Sequence, residues 1–540
     1  MIAVRGWGGD DVDDEAPVLI AGGGMVGLCA AAFLAQRGIR SVAIERLKES
    51  SPLPRAAFFH MRTLEMFRSL GIEAAVREGS AKDFVPEGSI IAMDSVSGRK
   101  LADIMPSLNE GVEALSPCRR LYLNQPSLEP ILRQRARAAG ATVIQGAEVT
   151  GVQQDADGVT VAVTDTDSGS RRELRGRYLL AADGGHSKVR ELLGIEYEGQ
   201  GAFSNSLTIY FTADLSPWIG DHAWSIIYVN NPVLAGFFRM NRTSQAGFLA
   251  VNVLGDPERD PQAAFNVARD VSQGQLIALV RAGVGVPDLP VRIDGFTRWR
   301  ATACVARKFQ DKRIFLVGDA AHLMPPNGGF GGNTGIHDAH NLAWKLALVL
   351  NGQAPARLLE TYASERKPVA EFTVGQAFSR YVARTAPWLQ STHNTDPIVA
   401  DFEIELGYLY GSQTGIHADP AKTRGLPGSR APHLWLTRSG ERVSTLDLVG
   451  HHVLLAGPDG AEWIEAAVGA TESLGGLNLD AYRVGSELGD AGERFAEAYG
   501  ISSHGASLVR PDGFIAWRSQ GETADRVGVL REALARSLGN

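Results

Sequence analysis

A glycine-rich segment near the start of the sequence has the spacing of a phosphate-binding loop. Gly22, Gly24 and Gly27 follow the apolar run 18–21, and the alanine- and leucine-rich segment 28–37 comes after them. The pattern GxGxxG between a strand and a helix permits a tight turn, close approach of the backbone to a pyrophosphate, and close packing of helix on strand. The helix start adds free amides and a partial positive charge. The segment therefore predicts a dinucleotide site.

An acidic residue lies where such a site binds a ribose. Glu45 ends the second apolar run, 41–45, and follows Gly22 at about the 20-residue spacing at which an acid hydrogen-bonds ribose hydroxyls. An acid here prefers a free ribose to a 2′-phosphate, so the site suits the adenosine half of FAD or NAD better than NADP. Arg46, the next residue, is a further candidate cofactor contact.

Two later motifs carry a family resemblance. The segment 182–190 reads ADGGHSKVR after an apolar strand, and a longer run begins at Gly318-Asp319 and continues through PPNGGFGGN, 325–333, into a helical segment. These segments resemble the DGxxSxVR motif and the second FAD fingerprint of the class A flavoprotein monooxygenases, the p-hydroxybenzoate hydroxylase-like group. The length of the matching run argues against a chance match.

The resemblance implies a set of FAD contacts. Asp319 is expected to hydrogen-bond the ribityl chain, and Asp183 to act indirectly on the ribityl and pyrophosphate region. The loop 325–333 is expected to lie along the flavin ring with its amides facing the pyrimidine edge. Smaller motif matches add Arg55 and Gln125. The loop residues expected to contact the cofactor are Pro326, Gly329, Gly331, Gly332 and Asn333.

The C-terminal part resembles a narrower group. The segments 427–433 (PGSRAPH) and 505–518 (GASLVRPDGFIAWR) are similar to the linker and the thioredoxin-like domain of aromatic polyketide hydroxylases of the anthracycline and tetracenomycin type. That domain has no CxxC here, so its expected role is structural. The likeness extends from about residue 17 to 536.

The expected architecture is the α/β p-hydroxybenzoate hydroxylase fold. It combines a Rossmann-like FAD-binding domain with an inserted antiparallel-sheet substrate domain and a C-terminal thioredoxin-like domain. Aromatic and β-branched residues become dense between 200 and 300, which is typical of antiparallel strands. The expected boundaries are a disordered lead-in at 1–16, the FAD domain at 17–80, 115–195 and 301–380, the substrate domain at 81–114 and 196–300, a linker or helical region at 381–430, and the thioredoxin-like domain at 431–540.

The implied reaction is hydroxylation of a polycyclic aromatic polyketide through a flavin C4a-hydroperoxide, with NAD(P)H and O2 as co-substrates. Arg384 lies where polyketide hydroxylases carry a pocket arginine, and its charge could lower the pKa of a substrate phenol. A solvated helix arginine is the alternative. Trp224, Tyr228 and Phe237 could line a flat pocket, although plain sheet core is the other interpretation.

Several alternatives stay open on this scaffold. Many relatives place a glycine after the RAA segment, where this chain has Phe58-Phe59-His60. Bulk there would restrict flavin movement or reshape the pocket, and His60 is either a ligand or acid, or a packed histidine. The substrate could be a small phenol of the chlorophenol type, or the reaction a Baeyer–Villiger insertion or rearrangement. A non-catalytic flavin-binding protein is the remaining alternative. A halogenase is disfavoured, because the WxWxIP motif is absent.

Composition narrows the partners. The net charge of −8 and the pI of about 5.9 argue against a general nucleic-acid binder. Three cysteines without a CxxC pair indicate neither a metal site nor a dithiol motif. No apolar stretch reaches the length of a membrane span, and the N-terminus lacks a signal-peptide pattern. We therefore expect a cytoplasmic monomer or homodimer that binds a small aromatic substrate.

Overall fold

The computed structural model describes residues 15–50, 57–255, 267, 271–411, 415–489 and 494–540. The first 14 residues of the expected lead-in and Arg55 lie outside the described residues. The strands are β1 (Glu15–Ala21), β2 (Ser41–Glu45), β3 (Phe58–Phe59), β4 (Ser89–Met93), β5 (Lys100–Met105), β6 (Leu121–Tyr122), β7 (Thr142–Gln145), β8 (Ala147–Gln154), β9 (Val159–Asp165), β10 (Arg171–Ala181), β11 (Tyr197–Thr212), β12 (Trp224–Asn230), β13 (Leu234–Met240), β14 (Ala246–Leu254), β15 (Arg292–Ala306), β16 (Gln310–Asp311), β17 (Ile314–Leu316), β18 (His322–Leu323), β19 (Trp435–Arg438), β20 (Glu441–Ser444), β21 (His452–Ala456), β22 (Leu479–Arg483), β23 (Ala506–Val509) and β24 (Ile515–Ser519).

Helices alternate with these strands, which confirms the predicted mixed α/β class. They are α1 (Met25–Gln36), α2 (Met61–Ser69), α3 (Glu73–Asp83), α4 (Gln125–Ala138), α5 (Lys188–Leu192), α6 (Ser216–Ile219), α7 (Gln273–Val284), α8 (Phe330–Leu350), α9 (Glu360–Thr385), α10 (Asp401–Glu405), α11 (Ala461–Glu472), α12 (Phe495–Tyr499) and α13 (Arg526–Ser537). Among the described helices, none has both the length and the apolar character needed to cross a membrane.

The first sheet has the order β16-β17-β10-β1-β2-β7, and β8 and β9 extend it beside β10. Strands β17, β10, β1, β2 and β7 run parallel. Residues 18–21 of β1 are buried, as expected for a parallel strand covered on both faces. Helix α1 packs against α8 and α4. The carboxyl ends of the parallel strands therefore meet at one edge of the sheet.

The second sheet has the order β18-β15-β11-β14-β13-β12-β4-β5 and is antiparallel except for the β12–β4 pair. Its residues alternate between two faces. Leu207 and Ile209 of β11 pack in an apolar cluster with Val280 of α7. Thr208 and Tyr210 face the opposite side, toward a large cavity. The sheet thus forms a wall between a helix-covered core and the candidate site.

The C-terminal part has a four-stranded sheet of order β22-β21-β23-β24, with β21 and β22 parallel and the other pairs antiparallel. Apolar residues of α11 and α13 pack against this sheet. The three cysteines, all outside this part of the chain, are buried and free. The domain boundaries expected from the sequence stay predictions.

Candidate active site

The glycine loop lies at the strand-end edge of the first sheet. Gly22 has φ +97°, and a Cβ atom there would lie 2.3 Å from the carbonyl oxygen of Ala182. A Cβ atom at Gly27 would lie 1.9 Å from the carbonyl oxygen of Gly22. Gly24 precedes α1 and provides no side-chain cap, so the first amides of the helix are left for a ligand. This tight turn and uncapped helix start fit the pyrophosphate of FAD.

Glu45 closes over the same loop. Its Oε2 atom accepts a hydrogen bond from the amide of Gly23 (2.8 Å), and Oε1 accepts one from the amide of Leu47 (2.9 Å). Each carboxylate oxygen keeps a second lone pair, which can accept from a ribose hydroxyl. Arg46 is exposed and lines the adjacent cavity. The roles predicted for Glu45 and Arg46 are geometrically possible and stay predictions.

The start of α4 approaches the loop from the other side. The amide nitrogen of the Gln125 side chain donates to Oε1 of buried Glu129 over 2.6 Å. The same Oε1 atom lies 3.7 Å from the position of a Cβ atom at Gly24. Gln125 and Glu129 therefore lie beside the predicted phosphate loop, where Gln125 was expected.

Asp183 follows β10 at the same edge of the sheet. Its Oδ2 atom accepts from the amide of Val189 over 3.1 Å, and its Oδ1 atom is buried without a hydrogen-bond partner in the described part of the chain. Burial raises the pKa of Asp183. A buried acceptor without a partner is costly, so this atom fits a polar group of a bound cofactor.

The segments around Asp183 and Asp319 are joined by Tyr197. Ser187 caps α5 by accepting from the amide of Arg190, and the Arg190 guanidinium lies 4.2 Å from the centre of the Tyr197 ring. The Tyr197 hydroxyl donates to the backbone carbonyl of Asp319 over 2.9 Å. Asp319 itself is exposed at the cavity wall. The two motifs therefore meet at one position, and the FAD contacts expected for Asp183 and Asp319 stay predictions.

The loop 325–329 leads into α8. Gly329 has φ +70°, and a Cβ atom there would lie 3.0 Å from Cβ of Phe58. The ring nitrogen Nε2 of His60 hydrogen-bonds the carbonyl of Gly328 over 3.0 Å. No side chain caps α8, so its first amides are available to negative charge on a flavin ring. Pro326, Gly329, Gly331 and Gly332 all line the cavity.

Asn333 holds this loop in place. Its Oδ1 atom accepts from the His60 amide (3.0 Å) and the Thr63 hydroxyl (2.6 Å), and its Nδ2 atom donates to the carbonyls of Phe58 (2.8 Å) and Gly329 (2.7 Å). The residue is 2% exposed. All four hydrogen-bonding positions of the side chain are used within the protein. The predicted cofactor contact of Asn333 is therefore left to its backbone.

A cavity of about 1450 Å³ separates the loop from the second sheet. Its volume exceeds the roughly 300–1,000 Å³ of a typical pocket for one ligand, which leaves room for a flavin ring and a substrate together. Tyr228 and Phe237 line it, as predicted, and the Tyr228 hydroxyl lies 3.5 Å from Nδ2 of Asn327.

Trp224 departs from the prediction, because it lies away from the cavity wall. It stacks on His222 with ring centres 4.4 Å apart and packs in the apolar cluster on the far side of the sheet. The strand register shifts between Trp224 and Ile226. A bulge of this kind reverses the alternation of side chains, which the sequence pattern does not reveal.

Arg384 lines the cavity at the last turn of α9 and is half-buried. It makes no hydrogen bond or ion pair to the residues that the structure describes. Two of the carboxylates that line the same cavity are paired with other cations: Asp401 with Arg380 (2.9 Å) and Glu405 with Arg120 (2.9 Å). The positive charge of Arg384 is therefore available to a substrate.

Sequence reasoning missed one buried cation on the cavity wall, Arg239. Arg239 is buried on β13, donates to Oδ1 of Asn124, and lies near Tyr122. Burial lowers the pKa of Arg239 to about 10. One signal could have revealed it: Arg239 lies two residues after Phe237, so strand alternation places both on the same face.

Two family models match the chain. An FAD binding domain matches residues 15–377, and the C-terminal model of aromatic-ring hydroxylases matches residues 424–540. The chain is 48% identical to a 4-methyl-5-nitrocatechol 5-monooxygenase of a Burkholderia species, over 97% of this chain and 98% of the relative. It is 38% identical to the tetracenomycin B2 monooxygenase-dioxygenase of Streptomyces olivaceus, over 97% and 99%.

One solved structure is similar to this chain over nearly the whole length of the chain. It is a ternary complex of aklavinone-11 hydroxylase with FAD and aklavinone, with a TM-score of 0.91 and 35% sequence identity. The match covers 98% of this chain and 100% of the other.

Proposed function

The chain belongs to the family of FAD-dependent aromatic-ring hydroxylases, and from this premise we propose that it hydroxylates a phenolic ring of a polycyclic aromatic substrate. The sequence-based predictions of an FAD-dependent, NAD(P)H-consuming monooxygenase of the polyketide hydroxylase group are thereby confirmed. The substrate and the residue roles below are proposals.

The proposal rests on one observation. The guanidinium of Arg384 has no ion-pair partner among the described residues and lines a cavity large enough for two reactants. Bound FAD supplies the chemistry that transfers one oxygen atom of O2 to a ring carbon at the expense of NAD(P)H. Arg384 attracts the phenol oxygen and lowers the pKa of the phenol. The ring of the resulting phenolate is more nucleophilic than that of the neutral phenol. The protein meanwhile keeps bulk water from the reacting atoms between the loop and the second sheet.

A polycyclic substrate is favoured by the size and lining of the cavity. Tyr228, Phe237, Phe248 and Trp299 present flat aromatic surface to a volume of about 1450 Å³. The tetracenomycin and aklavinone relatives are named for polycyclic compounds. The second candidate is a one-ring phenol, which the 48% identity to a nitrocatechol monooxygenase favours.

The finer structural names are also proposals. We infer a Rossmann-like unit from the parallel order β17-β10-β1-β2-β7 and the glycine turn after β1. We infer a thioredoxin-like unit from the four-stranded mixed sheet with α11 and α13 against it. Light scattering on the purified protein tests the expected monomer or homodimer.

Product analysis tests the function. The flavin-loaded enzyme is incubated with O2, NADH or NADPH, and either a tetracyclic phenol or 4-methyl-5-nitrocatechol. We expect coupled consumption of the nicotinamide and, for the tetracyclic phenol, a product heavier by one oxygen atom. Nicotinamide oxidation that yields only hydrogen peroxide with every phenol tested would contradict the proposal. A product in which the added oxygen atom is inserted into a carbon ring would instead indicate Baeyer–Villiger chemistry.

Substitution of Arg384 tests the residue. Arg384→Gln is expected to lower turnover about 10- to 1,000-fold near neutral pH, because a nearby cation lowers the pKa of an acidic group by roughly 1–3 units. FAD binding should be unchanged, and the rate should recover as the pH approaches the pKa of the free phenol. Arg384→Lys keeps the charge and serves as the matched control. Equal turnover in Arg384→Gln and wild type discards the role.

A further inference from the structure

Arg239 is a buried cation without a counterion. It is 7% exposed, and within the described part of the chain its one hydrogen bond goes to the neutral side chain of Asn124 and no carboxylate forms an ion pair with it. Asp83 acts on it only through space. With a pKa of about 10 the guanidinium stays charged at neutral pH. A buried, unpaired charge lowers the stability of the fold. The position of Arg239 in the cavity wall therefore indicates that a bound ligand pairs with its charge.

Aromatic rings hold the guanidinium of Arg239 in place. Its central carbon lies 5.1 Å from the centre of the Phe84 ring and 4.7 Å from that of Phe248. These contacts stabilise a cation without neutralising it. The remaining N–H groups are therefore available as a planar fork, the geometry that pairs with two oxygen atoms.

A second unused donor lies in the same wall. Tyr122 is 2% exposed, and its hydroxyl has no hydrogen-bond partner in the described residues. Its ring stacks on Phe58 with centres 4.7 Å apart, and it lies 5.9 Å from the Phe84 ring that contacts Arg239. Tyr122 thus connects the Arg239 position with Phe58, which contacts the loop at Gly329. Among the described residues, the Tyr122 hydroxyl thus has no hydrogen-bond partner and Arg239 has no ion-pair partner.

Arg239 of β13 and Arg384 of α9 line the same cavity. Ala235, at the start of this strand, packs with Trp388, which follows Arg384 by four residues in the sequence, beyond the end of α9. Arg239, near the end of the strand, contacts Asn124 at the start of α4. Phe237 lies between these ends and lines the cavity. A ligand that fills this cavity can therefore contact both guanidinium groups.

We propose that Arg239 and Tyr122 form a second substrate subsite, which binds a planar group with two oxygen atoms on the aromatic substrate, a nitro or carboxylate group. The inference rests on the proposed function, in which Arg384 binds the phenolate oxygen. The paired oxygens accept from the guanidinium fork and from the Tyr122 hydroxyl. The preferred substrates are accordingly phenols that carry such a group away from the hydroxyl.

Equilibrium binding to the oxidised holoenzyme tests the subsite, with the change in flavin absorbance as the signal. The probes are two matched pairs: 4-methyl-5-nitrocatechol against 4-methylcatechol, and 3,4-dihydroxybenzoate against catechol. Arg239→Gln should weaken binding of the nitro or carboxylate member about 10- to 100-fold, the effect of losing charge-assisted hydrogen bonds. Binding of the partner without that group should change by less than about 3-fold.

Matched variants keep the result interpretable. Arg239→Lys retains the charge without the fork and should fall between wild type and Arg239→Gln. Tyr122→Phe removes only the hydroxyl and should weaken the same member of each pair about 5-fold, since one hydrogen bond is lost. Thermal unfolding and FAD affinity are measured for each variant, so that a folding defect is recognised, and Tyr122→Phe decides the test where Arg239→Gln does not fold.

Two outcomes overturn the subsite. If Arg239→Gln weakens the binding of both members of each pair equally, Arg239 does not bind the nitro or carboxylate group. Loss of FAD affinity without loss of selectivity shows that the guanidinium serves the cofactor. The pair that responds separates nitro from carboxylate recognition. If wild type binds the probes selectively but forms no hydroxylated product, the proposed function fails while the subsite stands.

Discussion

Glu45 illustrates how one side chain joins the fold to the cofactor. Its two oxygens accept from the amides of Gly23 and Leu47, so the carboxylate orders the turn that it also offers to a ribose. Because each oxygen has a lone pair left, loop geometry and ribose binding share the same negative charge.

We predict that Glu45→Gln raises the dissociation constant of FAD about 10- to 100-fold, because hydrogen bonds to a charged group contribute roughly 1.5–3 kcal/mol. The new NH2 group would also face one of the two backbone amides. Fluorescence titration of the apoprotein with FAD measures the effect. Glu49→Gln, on an exposed residue of the same segment, is the control and should bind as wild type does. Equal affinities in the two variants would remove Glu45 from the site.

At the scale of elements, two helix starts meet beside the predicted phosphate loop. A Cβ atom at Gly335, in the second turn of α8, would lie 2.9 Å from Cα of Gly318 and 2.8 Å from a methyl group of Val26 in α1. The motif around Gly318, the start of α1 and α8 can therefore approach only because side chains are absent at the contact.

We predict that Gly335→Ala pushes α8 away from α1 and impairs FAD binding about 5- to 100-fold, since an over-packed contact costs roughly 1–3 kcal/mol. The purified variant should be paler and unfold at a lower temperature. Gly295→Ala is the control, because a Cβ atom there meets no atom within 4 Å. A fully yellow Gly335→Ala protein with unchanged FAD affinity contradicts the argument.

The sequence predicts these elements unequally well. The glycine loop and Glu45 are visible in spacing alone, because the pattern itself expresses the backbone requirement. Arg384 and the loop 325–333 depend on the family resemblance, and the structure brings both to one cavity.

The predictions that failed depend on contacts between residues that lie far apart in the sequence. The sequence pattern predicts the wrong face of the sheet for Trp224, because a register shift in β12 reverses the alternation of side chains there. Two of the four hydrogen-bond partners of the Asn333 side chain, His60 and Phe58, lie more than 270 residues away in the sequence. Arg239 looks ordinary along the chain, and its lack of a counterion exists only in three dimensions.

In the whole molecule, buried charges join the C-terminal part to the long helices. Glu365 of α9 accepts from Lys345 of α8 (2.8 Å) and from Arg510 (2.6 Å), and Arg510 also pairs with Asp512 (2.6 Å). These cations hold the pKa of Glu365 well below its usual range. The C-terminal part is thus bound to the FAD-binding part by a network in which each charge depends on the others.

We predict that Arg510→Met lowers the free energy of unfolding by about 3–5 kcal/mol, since removal of one partner leaves buried carboxylates uncompensated. Urea unfolding followed by tryptophan fluorescence measures it. The control is Arg531→Met, an exposed position on α13, where we expect a change within about 0.5 kcal/mol. A similarly small effect in both variants would show that the network does not stabilise the docked arrangement.

His452 makes the same junction sensitive to acid. Its buried ring lies 6.0 Å from that of Trp344 in α8 and hydrogen-bonds the Ser537 hydroxyl over 2.9 Å. Burial lowers the pKa of His452 from 6.5 to about 3. Between these two pH values the unfolded chain carries a proton on this ring that the folded chain does not. Stability must therefore fall as the pH decreases below 6.5.

We predict that His452→Gln reduces this pH dependence by about 1 kcal/mol per pH unit between pH 6.5 and 5, approaching the limit of about 1.4 kcal/mol that one proton contributes. The comparison is made between pH 6.5 and 5, where carboxylates with lowered pKa values stay ionised and other buried histidines contribute equally to both proteins. Urea unfolding at several pH values gives the slopes. His504→Gln, at an exposed position, should keep the wild-type slope. If His452→Gln keeps it too, the ring is not held neutral by burial, and the junction is not the acid-sensitive part of the molecule.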